Sequence, residues 1–252
     1  MIVNSGVTSI SQYAFIDCHN ITSVKLPNSV KTIDKYAFKN CYRLEEFNFP
    51  SGLTKIGERA FSDTAITRAE IPAGITTVNE SVFFSCDKLT TVSFQGPITN
   101  IGDFAFAGCS ALSDISFSGG LSGKIGENAF SGCKSLESFT IPVGVTHIKS
   151  SAFSGCSSLK SAPLPEGLTW LGSGAFSGTA LTEVVIPSTV YFETGVYTNC
   201  NELQHITMYS STAESMRTSL GVANGLVDAH IIGDAPQRTE KIFGNQDDRF
   251  IV

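Results

Sequence analysis

Seven cysteines are the residues of this chain best able to do chemistry, and each sits three positions after an aromatic residue, as in "AFAGC" (Ala105–Cys109) and the twice-written "AFSGC" (Ala129–Cys133, Ala152–Cys156). A thiol attacks as a nucleophile when a neighbouring base or cation lowers its pKa. It binds zinc when a second cysteine lies two to four positions away. Cys18, Cys41, Cys86, Cys109, Cys133, Cys156 and Cys200 meet neither condition, because neighbours in sequence are at least 23 residues apart and Thr64 and Thr179 fill the same position in two further units. A residue exchangeable for threonine reads as a small, buried packing group. Stacked cysteines would fall within the disulfide Cα range of about 4.4–6.8 Å, but a regular ladder holds their side chains parallel, which is poor geometry for a bond. Seven free thiols are therefore expected.

Other reactive combinations are weaker. His19, His147, His205 and His230 make no H-x-x-x-H pair, and Asp247 and Asp248 are too few for a calcium loop. "GGLSGK" fails the phosphate-loop pattern, since Ser118 stands where the first glycine belongs and Ile125 follows Lys124. Glu46 and Glu70, one unit apart, are the carboxylates that a polysaccharide-cleaving solenoid would use, but no aromatic wall accompanies them in sequence. No catalytic residue, metal or cofactor is expected.

The elements that position these residues are copies of one unit. The aromatic anchors are Phe15, Phe38, Phe61, Phe83, Phe106, Phe130, Phe153, Phe176 and Tyr197, spaced by 23, 23, 22, 23, 24, 23, 23 and 21 residues. Alanine precedes every anchor except at Val82 and Val196, and an aliphatic residue (Ile21, Leu44 and so on to Leu203) follows five or six positions later. Then comes an alternating run that often ends in proline, as in "SVKLP" and "EVVIP", and a second short run such as "LTKIG". Alternation predicts strands, and proline ends the first of them because it cannot donate to a ladder. The "AFxxC" piece has the spacing of one helical or 3₁₀ turn. A unit of this size cannot bury its own apolar face, so the copies must stack into a solenoid. Nine coils at the strand spacing make a stack roughly 40 Å long.

The unit "LPEGLTWLGSGAFSGTALTEVVIP" resembles the BspA-like (Treponema pallidum-type) leucine-rich repeat family over about residues 7–209. That resemblance implies a right-handed solenoid with a parallel sheet on its concave face. It also implies a cell-surface or secreted protein of a host-associated organism, used in adhesion and protein binding.

Departures from the repeat are where binding sites are expected. In the second run, the position before the last apolar residue reads Ser9, Thr32, Lys55, Thr77, Asn100, Lys124, then His147, Trp170, Phe192, with Tyr191 beside the last. Two readings of this aromatic column stay open: a hydrophobic binding strip, or a surface covered by the C-terminal segment as a cap. On the first run, outward positions are mostly Ser and Thr, and Glu45, Glu46, Arg68 and Glu70 form the most charged patch. That patch is a second candidate contact, set against the plain reading of a solvated face.

Residues 1–209 are read as the solenoid and 210–252 as a C-terminal cap or tail. Within it, Ser211–Gly221 is expected as a short helix, Leu226–Gly233 as a strand closing the last coil, and the remainder as a polar tail or cap strand. The chain opens in the second half of a coil, as a piece of a longer protein or a half-built first coil would. Its first residues show no secretory leader pattern. A net charge of −6 disfavours nucleic acid as a partner, and no apolar run is long enough for a membrane span. Asn20 and Asn79 begin glycosylation sequons, relevant only in a eukaryotic secretory host. The expectation is a monomeric, non-enzymatic module that binds a protein or cell-surface ligand. A structural spacer is the alternative, and a polysaccharide-acting enzyme the third reading.

Overall fold

The computed structural model describes residues 1–209 and, as backbone strands, Asp228–Ile232 and Thr239–Phe243. Nine coils follow the nine anchors, Phe15 marking coil 1 and Tyr197 coil 9. Each full coil runs through a first strand, a tight turn, a second strand and a compact run of turns. The turn is set by proline in most coils: its carbonyl accepts from the aliphatic residue three positions on, as in Leu53 N to Pro50 O (2.9 Å) and Leu168 N to Pro165 O (2.9 Å).

Like strands stack in parallel. In the first-strand ladder Ser23–Val24 pairs with Glu46–Phe47, and Arg68–Ile71, Thr91–Phe94 and Asp114–Phe117 form a three-stranded sheet. Further on, Glu183–Ile186 pairs with His205–Tyr209, which pairs with Asp228–Ile232; Thr239–Phe243 then runs antiparallel to that strand. The strand expected in Leu226–Gly233 is found, while the helix expected at Ser211–Gly221 lies outside the described residues. In the second-strand ladder one sheet joins Ser9–Ile10, Thr32–Ile33 and Lys55–Ile56. A six-stranded sheet takes over from Thr77–Val78 and runs to Tyr191–Phe192. The step between these sheets falls where the anchor spacing drops to 22, and a small apolar cavity of about 10 Å³ lined by Ile56, Ile71, Val78, Phe83 and Phe94 remains there.

The "AFxxC" piece, expected as a single helical or 3₁₀ turn, closes one i to i+3 turn, as in Cys41 N to Phe38 O (3.2 Å), but does not extend into a helix, and the described residues contain none. Positions two before and two after each anchor adopt left-handed backbone, from Tyr13 (φ 60°) and Asp17 (φ 57°) to Gly195 (φ 70°) and Asn199 (φ 61°). These left-handed residues, one on each side of the anchor, bend the turn so that alternate N–H groups aim along the stack instead of back into their own turn. Tyr36, Phe38 and Asn40 accordingly donate to Glu58, Ala60 and Ser62 of the next coil at 2.8–3.0 Å, while Ala37, Lys39 and Cys41 bond three residues back. This rail repeats through the stack as a third ladder.

Inside, the nine anchor rings form one column, with neighbouring centroids 5.1–5.7 Å apart and planes within 2–13°. Free aromatic pairs prefer offset or edge-on contacts; here the coil spacing imposes parallel stacking. Rings from the first strands supply the edges: Phe47 meets Phe38 and Phe61 at 72° and 76°.

Candidate functional site

The thiol column lies beside the ring column. Six of the seven cysteines are buried, and Cys18 in coil 1 is partly exposed. Each buried thiol donates to the carbonyl of the anchor one coil earlier: Cys41 to Phe15 (3.1 Å), Cys86 to Phe61 (3.0 Å), Cys109 to Phe83 (3.1 Å), Cys133 to Phe106 (3.3 Å), Cys156 to Phe130 (3.1 Å) and Cys200 to Phe176 (3.0 Å). Thr64 and Thr179 instead donate to the anchor of their own coil at 2.9 Å and meet the next thiol at 3.3 Å. All seven cysteines are free. Burial pushes Cys41 up to about 11 and also raises Cys109 and Cys200, while a hydrogen bond to Cys156 and then burial raise Cys133. A catalytic thiol needs the opposite shift. The column is a packing and hydrogen-bonding device.

Second strands position the aromatic column. Lys124, His147, Trp170 and Tyr191 are successive partners in the ladder. His147 Nδ1 lies 2.9 Å from Thr146 Oγ1, and the Trp170 and Tyr191 rings approach to 4.7 Å at 37°. His147 and Trp170 are half-buried and Tyr191 is 55% exposed. Phe192 departs from the sequence expectation: it pairs with Leu171 and is a core residue, 4% exposed. Coil 9 is one residue shorter between the tight turn and this strand. Side chains alternate faces along a strand, so that deletion turns Phe192 inward and puts Tyr191 in the column. The signal was present in the sequence as "LTWL" against "VYF".

On the first-strand face, Glu45, Glu46, Arg68 and Glu70 are all exposed. Glu46 pairs in register with Ser23, Arg68 with Thr91 and Glu70 with Ser93, and one backbone bond, Thr67 N to Glu45 O (3.3 Å), links the two halves of the patch. No ion pair joins the four among the described residues. The structure gathers charge elsewhere. On the turn rail of coils 1–3, Glu58 accepts from Lys35 Nζ and from Tyr36 Oη, each at 2.9 Å, with Arg59 Nε at 3.9 Å. The bonds from Lys35 and Tyr36 hold the Glu58 carboxyl below its ordinary range. Tyr13 stacks on Tyr36 at 5.2 Å. Sequence reading missed this cluster, because only the left-handed slot two before the anchor makes Tyr13, Tyr36 and Arg59 neighbours.

"GGLSGK" is a bulge, with Gly120 and Gly123 at positive φ and the ladder register shifting around Gly123. Among the described residues no group of three or more His, Cys, Asp and Glu is placed to hold a metal. No helix there is long and apolar enough to cross a membrane.

The repeat that builds this geometry matches a known model. The BspA type leucine rich repeat region, in six copies, matches residues 8–123 and 123–222. The chain belongs to the BspA-type leucine-rich repeat family. Two solved structures share the fold. A leucine-rich repeat protein from Bacteroides ovatus is 22% identical, with TM-score 0.58, over 90% of this chain and 66% of its own. One from Eubacterium ventriosum is 24% identical, with TM-score 0.58, over 91% of this chain and 65% of its own. The chain thus spans just under two thirds of the length of either. No protein with a curated description matches it. In this BspA-type chain the anchor rings, thiols and left-handed turns are the repeated scaffold, and the aromatic column is peculiar to coils 7–9.

Proposed function

We propose that this BspA-type chain is a non-catalytic protein-binding module of a cell-surface or secreted protein, contacting its partner through His147, Trp170 and Tyr191. The observation that carries the reading is the change along the second-strand face, where Thr77, Asn100 and Lys124 give way to three rings in consecutive coils. Interfaces draw their binding energy disproportionately from Trp, Tyr and similar amphipathic groups clustered on a rigid support. The six-stranded ladder is such a support. Residues 210–252 complete the proposal as a terminal cap.

A spacer role is the second reading, favoured by the first-strand face. Its Ser and Thr side chains satisfy neighbouring backbone, as Thr90 does with Thr67 O at 2.9 Å. The test is a pull-down of immobilised chain against extracellular matrix and epithelial surface extract. Beside it runs a His147→Ala, Trp170→Ala, Tyr191→Ala variant shown to melt like the parent. A partner captured by the parent and lost by the variant is the expected result. Equal capture moves contact to the first-strand face, where Glu45, Glu46, Arg68 and Glu70 are the next variants. Capture by neither leaves the spacer.

A further inference from the structure

The three ladders of this stack are not equally complete. In coils 7 and 8 the first-strand segments, residues 137–141 and 160–165, are joined to each other by Phe139 N to Ser161 O (3.0 Å), Lys160 N to Glu137 O (2.9 Å) and a Ser138–Ser161 bridge. Among the described residues no backbone hydrogen bond links residues 137–141 to Asp114–Phe117 of coil 6, or residues 160–165 to Glu183–Ile186 of coil 9. Across coils 6 to 9 the other two ladders run through unbroken. Second strands pair from Leu121–Ile125 through Gly144–Ile148 and Trp170–Leu171 to Tyr191–Phe192. The turn rail keeps Phe130 N to Ala152 O (2.7 Å), Phe153 N to Ala175 O (2.7 Å) and Phe176 N to Val196 O (2.9 Å).

Burial shows the same seams independently. Inward residues of first strands are closed off in coils 4 and 5 (Ala69, Ile71, Val92, Phe94), in coil 7 (Phe139, Ile141, with Phe139 packed on Phe130 and Phe153 at 5.2 and 5.0 Å) and in coil 9 (Val184, Ile186). At the two seams Ile115, Phe117, Ala162 and Leu164 are only partly buried. Outside them Val185 is 55% exposed. Both seams have causes in the sequence. Coil 6 lacks the proline that ends the first strand of coil 7, while its extra residue enters after that strand and is absorbed by the Gly123 bulge. Coil 8 reads "SAPLP": Ala162 is too small for the slot that Val184 fills in coil 9, and Pro163, at the position equivalent to Val185, has no N–H, which limits the pairing of coil 8 with coil 7 inside the flap.

From these two observations we infer that the first strands of coils 7 and 8 form a two-rung flap that opens as a unit, hinged on the second-strand ladder and the turn rail. Opening detaches few hydrogen bonds, because the flap has none to its flanks. It uncovers the rings of Phe117 and Phe139, which meet edge-on at 6.2 Å across the first seam where Phe94 and Phe117 still stack at 5.1 Å. Local openings of this kind are drawn from regions of low contact density, and amide exchange measures them.

The test is hydrogen–deuterium exchange of the full chain, read by mass spectrometry. Peptides covering 137–141 and 160–165 are expected to exchange at least tenfold faster than those covering Thr91–Phe94, while Gly144–Ile148 of the same coils stays as slow as Ile98–Ile101. An Ala162→Val variant, which fills the slot at the coil 9 seam, is expected to slow exchange at residues 160–165. Equal protection at the flap and at Thr91–Phe94 would overturn the inference. So would fast exchange at Gly144–Ile148, which would mean that whole coils fray, or an unchanged rate in the variant.

Discussion

A buried thiol in this chain does what a backbone N–H would otherwise have to do. The Phe83 carbonyl, for example, accepts from Cys86 N of its own coil (3.2 Å) and from Cys109 Sγ of the next (3.1 Å). Ionising such a thiol removes a donor and buries a charge, which is why the folded state holds these groups protonated. The sign for stability follows directly. The folded pKa values of Cys41, Cys109, Cys133 and Cys200 lie above the unfolded one, so the unfolded chain releases protons first, and stability is full below about pH 8.5 and falls as pH rises toward the folded values. Buried Tyr197, whose hydroxyl has no hydrogen-bond partner among the described residues and whose pKa burial also raises, acts in the same direction above about pH 10. A fully buried thiol adds a slope of up to about 1.4 kcal/mol per pH unit in that window. Thermal melts under reductant should therefore decline between pH 8.5 and 10.5, and a variant with Cys109→Thr and Cys133→Thr should decline less. Identical curves for parent and variant would assign the alkaline loss to other groups.

At the scale of one element, the turn rail decides which substitutions a coil accepts. Gly155 sits two after its anchor with φ +70°, and a Cβ built there would come no closer than 3.8 Å to Gly132, so space is not the obstacle. The backbone is. A left-handed conformation costs an L-residue about 1–2 kcal/mol, less for Asn and Asp. Gly155→Ala is expected to destabilise by about 1 kcal/mol and Gly155→Asn by clearly less, since Asn40 and Asn199 already occupy the same slot at φ 61°. Denaturant midpoints of the two variants check the order, and an alanine variant as stable as the parent would mean that the rail relaxes at coil 7. Elements also mark the limit of what spacing could tell. The period identified strands, turns and the thiol slot correctly. It predicted a single helical or 3₁₀ turn at "AFxxC", and an i to i+3 bond does close there, with left-handed residues two before and two after the anchor. Whether such a turn continues as a helix depends on whether the following amides find acceptors in their own turn or in the next coil.

For the whole molecule, the ring column makes neighbouring coils depend on one another. Phe106 is fully buried between Phe83 (5.4 Å) and Phe130 (5.2 Å), so truncating it opens a cavity shared by three coils. Phe106→Ala is expected to cost about 3–5 kcal/mol, and in a nearest-neighbour stack it should also separate the unfolding of the two halves. Calorimetry would show this as a broadened or double transition, and a single sharp transition at the parent temperature would contradict it. The sequence by itself determined the repeat, the number of coils, the parallel stacking and the inward thiols and rings. These follow from period and polarity, which every copy restates. A break in that period was read at His147, Trp170 and Phe192, with Tyr191 beside it; the ladder puts Tyr191 in the column instead of Phe192. The inward turn of Phe192, the Glu58 cluster and the open seams beside coils 7 and 8 were settled only in three dimensions. Each depends on register between coils, where one residue more or less changes the face a side chain meets and the backbone group an amide can reach.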